Sequence, residues 1–249
     1  MIHVLSPANK RLVWYLAMEE YMAQHVADQD IFFSWIVPPT VIFGRHQVME
    51  DEVNIPYCME HGVQMYRRKS GGGCVYADEG NLMLSYITPN THSEQVFQYY
   101  LDFMCSALRA LGFPAVKSEH NDILIDGHKV SGNACYALPT GTIVHGTLLY
   151  DVDFSALQQA ITPSKEKLAK HGVQSVRQRV INLKTLMESK DIDSSFAGLS
   201  TASLRDIHSL AEYFGTSLCN QSRELSIEEQ CGIDAIEQTY LDASFISGK

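Results

Sequence analysis

The run Arg67-Arg68-Lys69-Ser70-Gly71-Gly72-Gly73, followed at once by Cys74-Val75-Tyr76, constrains this chain more than any other stretch. Three consecutive glycines remove side chains and permit φ > 0, so a ligand can lie directly against the backbone. Exposed N–H groups in such a loop can cradle an anion, with fixed cations beside them. The plainer alternative is a glycine-rich hairpin turn with surface charge on its flank.

Charge sharpens the choice. The formal balance is 19 − 29 = −10, which argues against a nucleic-acid partner. An anionic ligand must then be met by a local cluster of cations rather than by the overall field. With 249 residues, 45% of them hydrophobic, the chain can build one large domain with ample core. No run approaches the roughly 18 apolar residues of a membrane span, and Met1 to Pro7 does not read as a secretory signal. The six cysteines are scattered with no Cys-x-x-Cys pair, so a zinc site or disulfide framework is not expected and a reducing cytoplasm suits them.

Along the chain, Asn9 to Val26 reads as a helix with Asn9 as N-cap. Ile31–Trp35 and Thr40–Phe43 read as strands, a short helix follows Pro56 and ends at Gly62, and Val63–Arg67 is a strand entering the glycine loop. Cys74–Tyr76 and Leu82–Thr88 are strands joined through Asp78, Gly80 and Asn81. Ser93–Leu111 is a helix. A meander follows: Asn121–Ile125, a turn at Asp126-Gly127, Lys129–Tyr136, a turn at Pro139-Thr140-Gly141, and Ile143–Tyr150. Helices return at Phe154–Ile161, Pro163–Lys170, Ser203–Phe214 and Ser226–Leu241, the last with a Ser-Ile-Glu-Glu capping box. Ser189–Ser200 reads as a mobile loop. Strands and helices mixed without regular β-α-β alternation predict an α+β fold in one domain, residues 1–249.

Three further segments carry chemistry. Asn121-Asp122 opens an apolar strand: either a turn pair or a polar pair at a strand mouth, with Asp122 available to Mg²⁺. Lys129-Val130-Ser131-Gly132-Asn133-Ala134 puts a lysine beside small residues that permit close approach. His145-Gly146-Thr147 lies on the next strand, where a histidine can be a packed, hydrogen-bonded group or a site residue.

Taken together, Arg67-Arg68-x-Ser-Gly-Gly-Gly-x-Val-Tyr-x-Asp-x-Gly-Asn, Asn121-Asp122, Gly-x-Lys129-Val-Ser-Gly-Asn-Ala, His145-Gly-Thr-Leu-Leu and Ser175-Val-Arg-Gln-Arg-Val-x-Asn182-Leu resemble the lipoate–protein ligase A family over roughly residues 10–185. The resemblance implies the fold shared by lipoate and biotin ligases, mixed β-sheets flanked by helices. It implies activation of lipoate with ATP and Mg²⁺ to lipoyl-AMP, then transfer to a lysine of lipoyl-domain E2 subunits or the glycine-cleavage H protein. Arg68 would bind ATP, and Gly73, Cys74, Val75 and Tyr76 would line the nucleotide and acyl pocket. Lys129 would be the catalytic residue touching lipoate and the adenylate phosphate. Ser70, Gly71, Gly72, Asn121, Asp122 and His145 complete the expected ligand-binding set, with Asp122 as metal ligand.

Two departures from the family qualify the expectation. Many members carry a smaller C-terminal domain, whereas here the sequence stops soon after the last expected helix. Members lacking that domain use a separate accessory chain or act as ATP-independent lipoyl or octanoyl transferases. Related transferases hold a nucleophilic cysteine on the loop before the Asn-Asp strand; Val116–His120 has none. Cys135 and Cys74 then read as small pocket-lining residues. Gly44–Asn54 and Leu168–Arg179 are candidate segments for ordering on ligand binding.

Overall fold

A computed structural model describes residues 1–26, 28–119, 121–161, 180–188 and 204–248. The expected helix Pro163–Lys170, the loop Ser189–Ser200, most of Ser175–Leu183 and the segment Leu168–Arg179 lie outside the described residues. The strands are β1 (Ile2–Val4), β2 (Ile31–Trp35), β3 (Thr40–Phe43), β4 (Gln64–Arg67), β5 (Val75–Ala77), β6 (Asn81–Thr88), β7 (Ala115–Lys117), β8 (Asp122–Ile125), β9 (His128–Leu138), β10 (Gly141–Leu149) and β11 (Gln221–Arg223). The helices are α1 (Leu12–His25), α2 (Met49–Glu52), α3 (Ile55–Glu60), α4 (Ser93–Ala110), α5 (Phe154–Ala160), α6 (Leu183–Glu188), α7 (Ile207–Leu218), α8 (Ile227–Leu241) and α9 (Ala243–Ser247).

Eight strands form one sheet in the order β11-β1-β2-β6-β10-β9-β8-β7, and three form a second in the order β4-β3-β5. Both sheets mix parallel and antiparallel pairs, so the expected α+β architecture of mixed sheets flanked by helices is what the chain adopts. The central strand β6 is buried throughout and its period-two alternation feeds two cores. Leu82, Leu84 and Tyr86 pack under α4 and α7 with Tyr100, Leu101 and Phe214. Met83 and Ile87 pack under α1 with Trp14, Leu16 and Trp35. A third, smaller core lies around Val41, Phe43 and Tyr76 of the second sheet.

Local departures have local causes. Helix α1 starts at Leu12, with Arg11 at the cap and no side-chain cap bond; Asn9 instead takes a left-handed φ of 62°, which asparagine tolerates better than most residues. Helix α1 is buried on nearly every side, Glu19 and Glu20 included, because α8 covers the side away from the sheet. Trp14 Nε1 donates to Asp234 at 2.7 Å and Arg11 Nε to Glu237 at 3.2 Å. Helix α7 runs through Gly215 instead of stopping before it: a Cβ there would meet the His3 ring at 2.2 Å, so the glycine admits a ring rather than ending a helix. The capping box at Ser226 and Glu229 forms. No helix among the described residues is long and apolar enough to cross a membrane.

The turn between β5 and β6 locks the two sheets together. Gly80 N donates to Asp78 Oδ1 at 2.9 Å, and Gly80 O accepts from Tyr150 N and Asp151 N. A Cβ at position 80 would lie 2.1 Å from the Asp151 carbonyl oxygen, backbone that cannot step aside cheaply. Gly80→Ala is therefore expected to destabilise the fold by about 2 kcal/mol through overpacking, read as a lower urea midpoint with an unchanged m-value.

Candidate functional site

The glycine loop has no side chains with which to hold its shape, and Arg68 supplies them. Arg68 is 6% exposed, and its guanidinium faces the loop's own carbonyls. Nη2 donates to Gly71 O and Gly73 O, each at 2.7 Å, Nη1 to Ile42 O at 3.1 Å, and Nε to Ser70 Oγ at 3.1 Å. Burial pushes its pKa down to about 10, still fully charged at neutral pH. Because C=O and N–H of a trans peptide point oppositely, carbonyls turned onto Arg68 turn the N–H ends of the same units away from it. Gly72 holds φ at +90°, and the loop rests on Gly44, where a Cβ would sit 2.3 Å from Gly72 O.

The neighbouring cations Arg67 and Lys69 also find their partners within the protein. Arg67 Nη1 donates to Arg45 O and Gln47 O, each at 2.8 Å, with the guanidinium 4.8 Å from the Phe43 ring centre. Lys69 Nζ pairs with Glu20 Oε2 at 2.7 Å. The physical reason is the same for all three. Long cationic side chains in an acidic protein find carbonyls or carboxylates nearer than solvent.

A buried polar chain extends from the loop into the sheet. His145 Nε2 lies 2.8 Å from Ser70 Oγ and Nδ1 lies 2.9 Å from Glu19 Oε2. A carboxylate only accepts, so Nδ1 carries a proton, and in the neutral imidazole Nε2 accepts from the Ser70 hydroxyl. Glu19 Oε1 in turn accepts from Ser85 Oγ at 2.6 Å, and Ser85 Oγ from Trp35 Nε1 at 2.9 Å. His145 is thus a packed, hydrogen-bonded group, and it also borders the cavity.

Lys129 reaches the same cavity by a slip in the sheet. Residues three apart on a regular strand face opposite sides. The β8–β9 register shifts by one between Ile123 and Leu124, pairing Ile123 with Ser131 but Leu124 with Lys129. That extra residue on β9, a bulge, brings Lys129 and Gly132 to one face, and the ammonium lies where a Gly132 side chain would be, 2.7 Å from its ideal Cβ. Lys129 Nζ pairs with Asp122 Oδ1 at 2.8 Å, with both side chains partly exposed. Asn121, at φ 67°, gives its carbonyl to Asn133 Nδ2 at 3.0 Å. Asn133 Oδ1 occupies the space beside Gly146, where a Cβ would lie 2.0 Å away. The small residues of the meander do permit close approach, and what approaches includes the protein's own lysine and asparagine.

These elements enclose a cavity of about 420 Å³ between the two sheets and α1. Leu16, Trp35, Ile42, Val75 and Met83 form an apolar wall, while Asn121, Asp122, Lys129, His145 and Thr147 supply polar groups. Arg68, Gly72, Gly73 and Cys74 close it. Of the expected set, Ser70 and Gly71 stand behind this surface. Tyr76 is turned away into the third core, because strand alternation sends Val75 and Tyr76 to opposite sides. Cys135 also faces away, packing on the α4 side with its thiol pushed up to about 11 by burial; of the two cysteines expected to line the pocket, only Cys74 does so. Leu16, Trp35, Ile42 and Met83 were not singled out from the sequence; Ile42 pairs across the second sheet with Val75, which the resemblance did place in the pocket. Among the described residues no three His, Cys, Asp or Glu side chains gather as a metal cage.

Comparison with known proteins gives one consistent picture. The family model of the lipoyl protein ligase A/B catalytic domain matches residues 13–200. Lipoate-protein ligase LplJ of Bacillus subtilis (strain 168) is 36% identical over 183 residues, 73% of this chain and 55% of that protein. Lipoate–protein ligase 1 of Staphylococcus aureus is 37% identical over 174 residues, 69% of this chain and 53% of that one. The chain spans about half the length of the curated relatives it matches. Among solved structures, one from a study of an archaeal lipoylation system, a bi-partite lipoate protein ligase and its E2 lipoyl domain from Thermoplasma acidophilum, superposes with TM-score 0.79 at 24% identity, covering 99% of this chain and 95% of that one. A lipoate-protein ligase A bound with ATP gives 0.77 at 22%, covering 99% and 98%. At these identities the structures speak for the fold.

Arg68→Lys keeps the charge but cannot span Ile42, Gly71 and Gly73 at once. It is expected to cost about 3 kcal/mol through lost charge-assisted hydrogen bonds, measured by urea denaturation.

Proposed function

Because this chain belongs to the lipoyl protein ligase A/B catalytic-domain family, we propose that it activates lipoate with ATP to lipoyl-AMP and passes the lipoyl group to a lysine of an acceptor protein. The observation that carries this reading is one cavity with an apolar wall, an ammonium and a side-chain-free loop. The wall of Leu16, Trp35, Ile42, Val75 and Met83 suits a dithiolane tail. At the polar end Lys129 bridges the substrate carboxylate and the α-phosphate as a compact charge.

Attack of a carboxylate on the α-phosphate gathers negative charge from both reactants, so positioned donors are the main resource. Lys129 stabilises that charge after exchanging its contact with Asp122, and the loop peptides offer N–H groups to the phosphates. Asp122 would be the carboxylate to hold Mg²⁺, which would supply charge to offset that of the polyphosphate. In the second half-reaction the acceptor amine attacks the acyl carbonyl, AMP leaves, and Lys129 supports the developing oxyanion. We infer lipoyl-domain E2 subunits and the glycine-cleavage H protein as acceptors. A lipoyl domain accompanies the archaeal relative, and its bi-partite description supports assistance from a separate chain.

An ATP-independent transfer through a thioester on Cys135 has little support, since that thiol faces α4 and is held protonated at neutral pH. Cys135→Ser is expected to retain full activity in the same assay that tests the ligase reading. That assay combines protein, Mg-ATP, lipoate and apo H protein, with pyrophosphate release and acceptor mass as readouts. ATP-dependent lipoylation is the expected result. Transfer from an acylated carrier without ATP, abolished in Cys74→Ser, would overturn it. Lys129→Ala is expected to slow adenylation by roughly 100- to 1,000-fold.

A further inference from the structure

The family match ends at residue 200, yet the chain beyond it reaches back to the glycine loop at three points. Arg67 Nε donates to Ile246 O of α9 at 3.1 Å. Lys69 Nζ lies 3.3 Å from Thr239 Oγ1 and 4.5 Å from the centre of the Tyr240 ring, both on α8. The Tyr240 hydroxyl donates to Glu20 Oε2 at 3.1 Å, the same oxygen that accepts from Lys69 at 2.7 Å. Lys69, Glu20 and Tyr240 therefore close a triangle across three separate segments: the loop, α1 and α8.

The triangle is well placed to matter. Three glycines in a row lose more backbone entropy on ordering than any other tripeptide and make no side-chain contacts that repay it. Their shape must be held from the flanks. Arg68 and Ser70 hold the inner flank. Lys69 stands between those two in sequence and points the other way, so its anchor resists movement of the same peptides outward. The ion pair is partly desolvated, with side-chain exposures of 21% for Lys69 and 11% for Glu20, so it is worth more than a surface pair. The ring face beneath the ammonium adds a cation–π contact.

We infer that Lys69 and Tyr240 are positioning residues: α8 clamps the outer flank of the glycine loop through them and so sets how the loop meets the nucleotide phosphates. The kinetic part of this inference rests on the ligase reading, whereas its structural part does not.

Two measurements on the full chain separate them. In Lys69→Met, which keeps the stem and removes the charge, hydrogen exchange of the Arg45 amide, which donates to Ser70 O of the loop at 3.0 Å, is expected to accelerate by roughly tenfold. Exchange in β6 should stay at the parent value. Tyr240→Phe should give a smaller acceleration, and Lys69→Arg should restore protection. In the ligase assay, Lys69→Met should raise KM for ATP by roughly tenfold while kcat and KM for lipoate stay within about twofold of the parent. Unchanged Arg45 exchange in Lys69→Met, with β6 equally protected, overturns the clamp. So does a parallel rise of both KM values. If the parent consumes no ATP with lipoate, the ligase reading falls, and the exchange result alone decides whether α8 positions the loop.

Discussion

Residues 71–73 bring no side chains to their own folding, so whatever shape they hold is imposed by what lies beside them. Arg68 imposes most of it. Its guanidinium collects the Gly71, Gly73 and Ile42 carbonyls and the Ser70 hydroxyl at one buried point. Five donors in a rigid plane can satisfy four acceptors spread over two chain segments, which a point charge on a flexible stem cannot. A buried cation surrounded by carbonyl oxygens also avoids the cost of an unpaired charge. The rest of the cavity is arranged around the loop so fixed: Ser70 is in place to meet His145, and Cys74 and Val75 enter β5 in the register that turns Val75 inward.

Helix α1 contributes adjacent carboxylates with separate tasks. Glu19 accepts from Ser85 and faces His145 Nδ1, tying the helix to the middle of the large sheet. Glu20 accepts from Lys69 and Tyr240, tying the same helix to the loop and to α8. A helix with two acidic residues buried on adjacent positions is costly unless each finds donors, and each does. The consequence for the cavity is electrostatic. Lys69 is neutralised where it stands, and among the described residues Lys129 is the lysine that borders the cavity.

The α+β class and the order of the longer elements were legible because β6, β9 and β10 are long segments bounded by turn residues, Gly80, Asp126-Gly127 and Pro139-Thr140-Gly141 among them, and α4 keeps its helical period. Of the three-residue strands, β5 was legible because the glycine loop marks its start, whereas β1, β7 and β11 were not, since so short a segment without such a marker shows too little pattern to read. In the site, the loop, Asn121-Asp122, Lys129 and His145 were separable in sequence, and the structure gathers them around one cavity. Direction was the part that failed to show. Charge composition says that Arg67, Arg68 and Lys69 are cationic, but not that they point inward. Likewise, Glu19 and Glu20 look like the wet face of a helix until α8 is seen to cover them. The apolar wall could have been found by following strand parity from Val75 to its partner Ile42, and the same parity would have sent Tyr76 elsewhere.

The slip in register between β8 and β9 means that the position of the Lys129 ammonium is encoded by a count of residues as much as by their identities. An evolving or engineered sequence could keep the lysine, the serine, the glycine and the asparagine, gain one residue in β8 opposite the bulge, and leave a more regular hairpin. Its lysine would then project toward α4, on the far side of the sheet from any ligand. Spacing here is therefore a heritable trait in its own right, and an alignment that gaps this segment to preserve letters would pair residues that no longer share a face.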